Sequence, residues 1–106
     1  MADWIDPLIK LFGTEAVRVD EATLTEHSTD KWFASGRPDV AVFPSSTEQV
    51  SALLRFATER KIPVTTRGAG VGYVGGCVPL QAGIALSMMR MNRILEINEA
   101  DGVAVV

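Results

Sequence analysis

Apolar residues recur at Ile5, Leu8, Ile9 and Phe12, the spacing of one helix face, and Gly13 supplies a stop. Asp6 and Pro7 suit an N-cap and a first helical position, so a short helix is predicted near the start. AVRVD follows as a candidate strand. The polar stretch DEATLTEHSTDKWF has only Leu24, Trp32 and Phe33 as apolar anchors and predicts a helical turn with a loop. GRPDVAVFP then sets a four-residue apolar run, Val40 to Phe43, between two prolines, as in a buried strand with abrupt ends. In SSTEQVSALLRFATERK, Ser46 and Gln49 match a capping box, and Val50, Leu53, Leu54 and Ala57 are expected to line one face of a helix. Glu48 near its positive end and Arg60 and Lys61 near its negative end favour the same helix, each by about 0.3–1 kcal/mol when exposed. Pro63 moves Ile62 out of helical geometry and opens IPVTTR as a strand. Beyond a glycine-rich stretch, GIALSMM and ILEI are strand-like, and NEADG makes a hairpin-like turn before VAVV.

The predicted order is helix, strand, loop, strand, helix, strand, glycine loop and three strands. This is an α+β class with one βαβ crossover, spanning Val40 to Thr66. Residues 1–36 read as an N-terminal helix and lead-in segment, and residues 37–106 as the first part of a larger domain. The closing DGVAVV is a turn and a β-branched strand without a polar tail or a cap, the pattern expected of a truncated front part. Such a strand is expected to leave an open edge that invites self-association.

Bulk properties narrow the partners. The 106 residues are 47% hydrophobic and 22% charged, with a formal net charge of −3. There is no Lys/Arg run of the kind that nucleic acid or an anionic membrane selects. The lone Cys77 has no internal disulfide partner, and no paired Cys/His spacing resembles a metal site, which suits a reducing, cytoplasmic setting. The N-terminus lacks the basic start of a signal peptide, and no apolar run is long enough to span a bilayer.

The chemistry concentrates in TTRGAGVGYVGGCVP, where Gly68, Gly70, Gly72, Gly75 and Gly76 fall within nine positions. One reading is a permissive turn. Against it, five glycines cost more chain entropy than a turn requires, and the loop directly follows a strand of a βαβ unit, where strand carboxyl ends leave a ligand crevice. Without Cβ atoms, successive amides can converge on an anion, so a pyrophosphate cradle is the sharper reading. A nucleoside-triphosphate loop needs Lys and then Ser or Thr after the last glycine, whereas Cys77 and Val78 follow Gly76. Gly70, Gly72 and Gly75 spell the dinucleotide G-x-G-x-x-G, with Glu96 beyond the usual ribose-binding offset. That fingerprint needs a helix opening at the loop, where this chain instead has Pro79, Gly83 and a strand-like run. A nicotinamide-dinucleotide binder is therefore the weaker alternative.

PDVAVFPSSTEQVSALLRFATERKIPVTTRGAGVGYVGGCVP, with the L-x-x-x-R-M-N of Leu86 to Asn92 and ILEINEADGVAVV, resembles the first part of the FAD-binding domain of FAD-linked oxidases. These are the vanillyl-alcohol-oxidase and p-cresol-methylhydroxylase-like (PCMH-type) flavoproteins. The glycolate oxidase subunit and D-lactate dehydrogenase group is most similar. The resemblance covers residues 13 to 106, including GTEAVRVD and the Asp30 region. It implies a first subdomain whose R-G-x-G loop wraps the FAD pyrophosphate through backbone amides. Carried over, it places Arg67, Gly68, Ala69, Gly70, Val71 and Gly72 at the phosphates, Gly75, Gly76 and Pro79 at the loop exit, and Pro44 at the end of a strand facing the cofactor. Family members usually have Thr where this chain has Val71, and other branches have a flavin-bonded histidine there, so noncovalent FAD is expected. The whole enzyme implied would oxidise a small 2-hydroxy acid with FAD as hydride acceptor. Its catalytic groups would lie in the remainder of the chain, so no catalytic residue is assigned here. Residues 1–106 alone are expected to be inactive and to hold FAD weakly or not at all. A noncatalytic binding module of the same fold is the alternative from another class.

Remaining residues read as follows. His27, the only histidine, is expected to be exposed and structural. Cys77 is expected to be a small buried filler beside the loop. Met88, Met89 and Met91 suit packing rather than ligation. Tyr73 either covers the flavin or caps the loop. Arg67 could close on phosphate oxygens or pair at a strand end.

Overall fold

The computed structural model describes residues 2–106. Helix α1 spans Ile5–Phe12 and is followed by strand β1, Val17–Arg18, and helix α2, Glu21–Glu26. Strand β2 is Val40–Val42, helix α3 is Thr47–Arg60, and strands β3 and β4 are Val64–Arg67 and Ile84–Ser87. Strands β5, Glu96–Asn98, and β6, Val103–Val105, form a separate antiparallel hairpin.

Local signals account for most boundaries. Helix α1 begins one residue before the predicted cap. Trp4 is the N-cap position and makes no side-chain cap, Asp6 lies in the first turn, and Pro7 falls within the helix. The reason is tertiary: Ile5 is buried in the core, and winding it into the helix puts it on the same face as Leu8. Gly13 ends the helix with φ 87° and donates its N–H to the Ile9 carbonyl at 2.7 Å. The polar segment after β1 forms a true helix, α2, because Asp20 caps it: its carboxylate accepts from the Thr23 amide at 3.1 Å and hydroxyl at 2.7 Å. Ser46 Oγ likewise accepts from the Gln49 amide at 3.2 Å, while the Gln49 side chain reaches back to the Ser45 amide, one residue earlier than the expected Ser46.

The main sheet runs β1-β2-β4-β3, with β1 antiparallel to β2 and the other pairs parallel. The two strands joined by α3 are therefore not neighbours; β4 lies between them. One sheet face, through Val40, Val42, Ile84 and Leu86, packs on Ile5 and Leu8 of α1 and on Leu53, Phe56 and Ala57 of α3. Burying a side chain such as Leu53 contributes about 1.5–3 kcal/mol. The buried face of α3 is centred on Leu53, Phe56 and Ala57, which turns Leu54 outward against the sequence expectation. On the opposite sheet face Ala41, Ala85 and Phe43 pack with Leu24 of α2. The lead-in segment thus supplies β1 to the sheet and α1 and α2 to the two faces. No described helix is long and apolar enough to cross a membrane.

Candidate functional site

The three parallel strands end on one edge of the sheet, at Phe43 and Pro44, at Arg67 and Gly68, and at Ser87 and Met88. Residues 68–83 leave this edge after β3 and return to the opposite edge, where Ile84 N–H donates to the Pro63 carbonyl at 2.9 Å and Gly83 N–H to the Asp39 carboxylate at 2.9 Å. No helix opens in this connection, the feature on which the nicotinamide fingerprint depends.

Along the glycine loop, two residues are glycine for reasons internal to the chain. Gly70 has φ 74°, where a side chain is strained, and a Cβ there would push the Arg67 guanidinium aside. Gly75 has φ 77° and sits against Ala34. Gly68, Gly72 and Gly76 differ. Their φ values lie outside the left-handed region, and a Cβ built on each meets no atom within 4 Å. Nothing in the described chain requires glycine there. The amides of Gly68, Ala69, Gly70, Val71 and Gly72 also donate to no acceptor among the described residues. Unspent N–H groups next to positions kept free of side chains fit a group that approaches the backbone from outside, and a pyrophosphate is such a group.

Arg67 leaves β3 and turns along the back of the loop. Its Nη1 donates to the Thr29 carbonyl at 2.7 Å and lies 3.7 Å from Cys77 Sγ, and no carboxylate pairs with it among the described residues. Cys77 is half-buried rather than a fully enclosed filler. Pro44 and Pro79 are fully buried, and Val71 is 60% exposed on the open side. Tyr73 is exposed and meets Trp32 edge to face, with centroids 6.1 Å apart, in an aromatic group that also includes Phe33. Met88 packs partly on the core, whereas Met89 is exposed. A second crevice on this side of the molecule, between the start of α3 and the chain after β4, is lined by Ser45, Ser46, Thr47, Arg90, Arg93 and Leu95.

His27 corrects its expectation: it is 1% exposed. It caps the C-terminus of α2, three residues after the buried Leu24, a helical spacing that a reading of the segment as mainly loop concealed. Its Nδ1–H donates to the Thr23 carbonyl at 2.8 Å and its ring meets Phe43 edge to face at 5.3 Å. His27 Nε2 and Ser87 Oγ are buried without a partner among the described residues. No group of three or more His, Cys, Asp or Glu able to hold a metal occurs among the described residues.

The displaced carboxylates lie at α2, away from the loop. The Thr23 hydroxyl and amide, then Arg18, hold Asp20 below its ordinary value, and the Arg37 guanidinium holds Glu21 down through a two-pronged pair at 2.8 and 2.6 Å. Glu21 in turn raises Arg37.

Sequence reasoning took in the Asp30 region only as part of the resemblance and gave no role to Asp30, whose carboxylate accepts the Gly75 and Trp32 amides. The available signal was an aspartate two residues before Trp32, the spacing of an Asx turn.

Comparison with known proteins agrees with this geometry. The family described as an FAD binding domain matches residues 38–106. The D-lactate dehydrogenase of Archaeoglobus fulgidus is 40% identical over 107 aligned residues, covering 96% of this chain and 23% of that protein. The glycolate oxidase subunit GlcD of Escherichia coli is 38% identical over 86 residues, covering 81% of this chain and 17% of that subunit. The solved structure of p-cresol methylhydroxylase with substrate bound superposes with a TM-score of 0.74 at 27% identity, over 89% of this chain and 19% of that one. The chain spans about a fifth of the length of these relatives. With the fold, the helix-free glycine connection and the family match in agreement, the chain belongs to the FAD-binding domain family, in its PCMH-type form.

Proposed function

We propose that residues 67–76 seat the pyrophosphate of FAD, and that the protein carrying them is a flavin-dependent oxidoreductase acting on a 2-hydroxy acid such as glycolate or D-lactate. The observation that carries the first part is the trio Gly68, Gly72 and Gly76, bare of side chains where the chain itself has no need of it, beside five amides without acceptors. The substrate class follows from the names of the two relatives, a D-lactate dehydrogenase and a glycolate oxidase subunit.

The chain's own part is binding and orientation. The N–H groups of Gly68 to Gly72 donate to phosphate oxygens, and each such charge-assisted bond is worth about 1.5–3 kcal/mol. The Arg67 guanidinium, fixed behind the loop by the Thr29 carbonyl, adds positive potential without leaving its place. Val71 has no atom able to bond covalently to a flavin, so the cofactor is held noncovalently. When bound, FAD supplies the acceptor for the hydride of the 2-hydroxy acid. Val71 and Val74 on the loop are exposed, so this stretch by itself is expected to bind FAD weakly and to turn over no substrate.

The test is purification of the full-length protein. It is expected to be yellow, to release intact FAD on denaturation, and to reduce that flavin when given glycolate or D-lactate. A colourless protein that ignores added FAD would identify a noncatalytic module instead. A yellow protein whose flavin is not reduced by either acid would leave the seat and overturn the substrate class.

A further inference from the structure

We infer that Thr29, Asp30 and Lys31 form a strap that sets the glycine loop in its ligand-ready shape before any ligand arrives, with Asp30 as the positioning residue. The inference rests on the pyrophosphate reading above and adds to it how the seat is held.

Three consecutive residues touch the loop at three separated points. The Thr29 carbonyl accepts from Arg67 Nη1 at 2.7 Å, Asp30 Oδ2 accepts from the Gly75 amide at 2.9 Å, and the Lys31 amide donates to the Gly72 carbonyl at 3.2 Å. Among the described residues, no other hydrogen bond ties residues 68–76 to a remote part of the chain. The strap is itself closed. Thr29 and Ser35 form a bridge, the Gly36 amide donates to the Ser28 carbonyl at 2.8 Å, and the second Asp30 oxygen accepts from Trp32 N–H at 2.8 Å. Its N-terminal end continues from α2, where His27 is buried.

The energetic argument concerns entropy. Fixing one residue's backbone costs about 1–2 kcal/mol, and glycine loses the most freedom. A nine-residue loop with five glycines would otherwise meet that cost when the ligand binds, whereas the strap meets it during folding and leaves the affinity to the amide contacts. Asp30 has a second effect. Its carboxylate occupies the Gly75 amide, so the run of acceptor-free amides that starts at Gly68 ends at Val74, and its negative charge disfavours a phosphate at the far end of the loop. The strap thereby keeps an anion from the Gly75 end of the loop.

The experiment compares wild type, Asp30→Ala and Asp30→Asn in the full-length protein, stripped of flavin. Amide hydrogen exchange at Lys31 and across residues 68–76 is measured first and FAD affinity, by flavin fluorescence titration, second. Asp30→Ala is expected to speed exchange at Gly75 and at Lys31, whose amide donates to the Gly72 carbonyl, at least tenfold while exchange in β2 and β4 stays unchanged, and to weaken FAD about tenfold or more. Asp30→Asn keeps one carbonyl oxygen and is expected to recover part of both effects, and it serves alone should the alanine variant fail to fold. Exchange at Gly75 as fast in wild type as in Asp30→Ala would overturn the strap, as would wild-type FAD affinity in that variant. If wild type itself binds no FAD, the pyrophosphate reading falls, and the exchange contrast still decides whether Asp30 orders the loop.

Discussion

Gly72→Ala separates a loop that is glycine-rich for its own folding from one that is glycine-rich for a ligand. The added methyl meets no atom within 4 Å, and the φ at Gly72 lies outside the left-handed region, so the described chain accommodates it. Alanine also narrows the unfolded ensemble, which at a compatible site stabilises by about 0.4–1 kcal/mol. The variant is therefore expected to unfold in urea at the wild-type midpoint or slightly above it. FAD affinity is expected to move the other way. A methyl on the approach to the backbone displaces at least one phosphate oxygen from its amide, a loss of about 1.5–3 kcal/mol, or roughly tenfold to a hundredfold in Kd. Gly70→Ala is the matched control. There φ is 74° and the Arg67 guanidinium fills the space, so fold and affinity are expected to suffer together. Urea denaturation of the flavin-free protein and calorimetric titration with FAD read the two effects separately. A Gly72→Ala protein that binds FAD as wild type does, or one that loses stability without flavin, would refute the reasoning.

Acid sensitivity is expected to trace in part to α2. Asp20 and Glu21 sit below their ordinary values of 3.8 and 4.5 in the folded chain, so their contribution is present above those values and lost as pH falls through the lowered ones. Asp20→Asn and Glu21→Gln should each flatten the fall of the urea midpoint on acidification, and an unchanged fall would assign it to other groups. Lys61 closes α3 in the left-handed conformation, φ 55° and ψ 43°, where glycine is at ease. Lys61→Gly is accordingly expected to raise stability by about 1 kcal/mol, measured by the same denaturation. In the β5–β6 hairpin, Ile97 is 67% exposed and stands opposite Ala104, with Leu95 two residues earlier on the same face. The chain of residues 1–106 is expected to self-associate at high concentration through this hairpin and Ile97→Lys to stay monomeric. Sedimentation showing wild type monomeric throughout would remove that expectation.

What the sequence disclosed depended on how far apart the interacting residues lie. The box at Ser46 and Gln49, the stop at Gly13 and the turn before β6 are set within four residues, and each was legible. The glycine loop stood out as a candidate site because its composition is extreme and its place after a strand is local information. The position of β4 between β2 and β3 was not, since it depends on pairing between Val40 and Ile84 and between Val64 and Ile84, far apart in the chain. The burial of His27 was hidden for a related reason: α2 is held by the Asp20 cap and by packing of Leu24 under the sheet, and little in its polar composition announces it. The role of Asp30 was not legible because its partner, Gly75, is 45 residues away. Its backbone contact leaves no mark in the loop sequence itself.

The strand order also governs how this chain can be assembled during translation. When Arg67 leaves the ribosome, β2 and β3 have both been made, yet they have no contact ladder to share, because the strand that joins them is still being synthesised. The parallel sheet closes in one late step once residues 84–87 emerge, and until then the glycine connection is a tether without a frame. A stall between β3 and β4 therefore leaves β3 without a partner and β2 paired with β1 alone, rather than a smaller working domain.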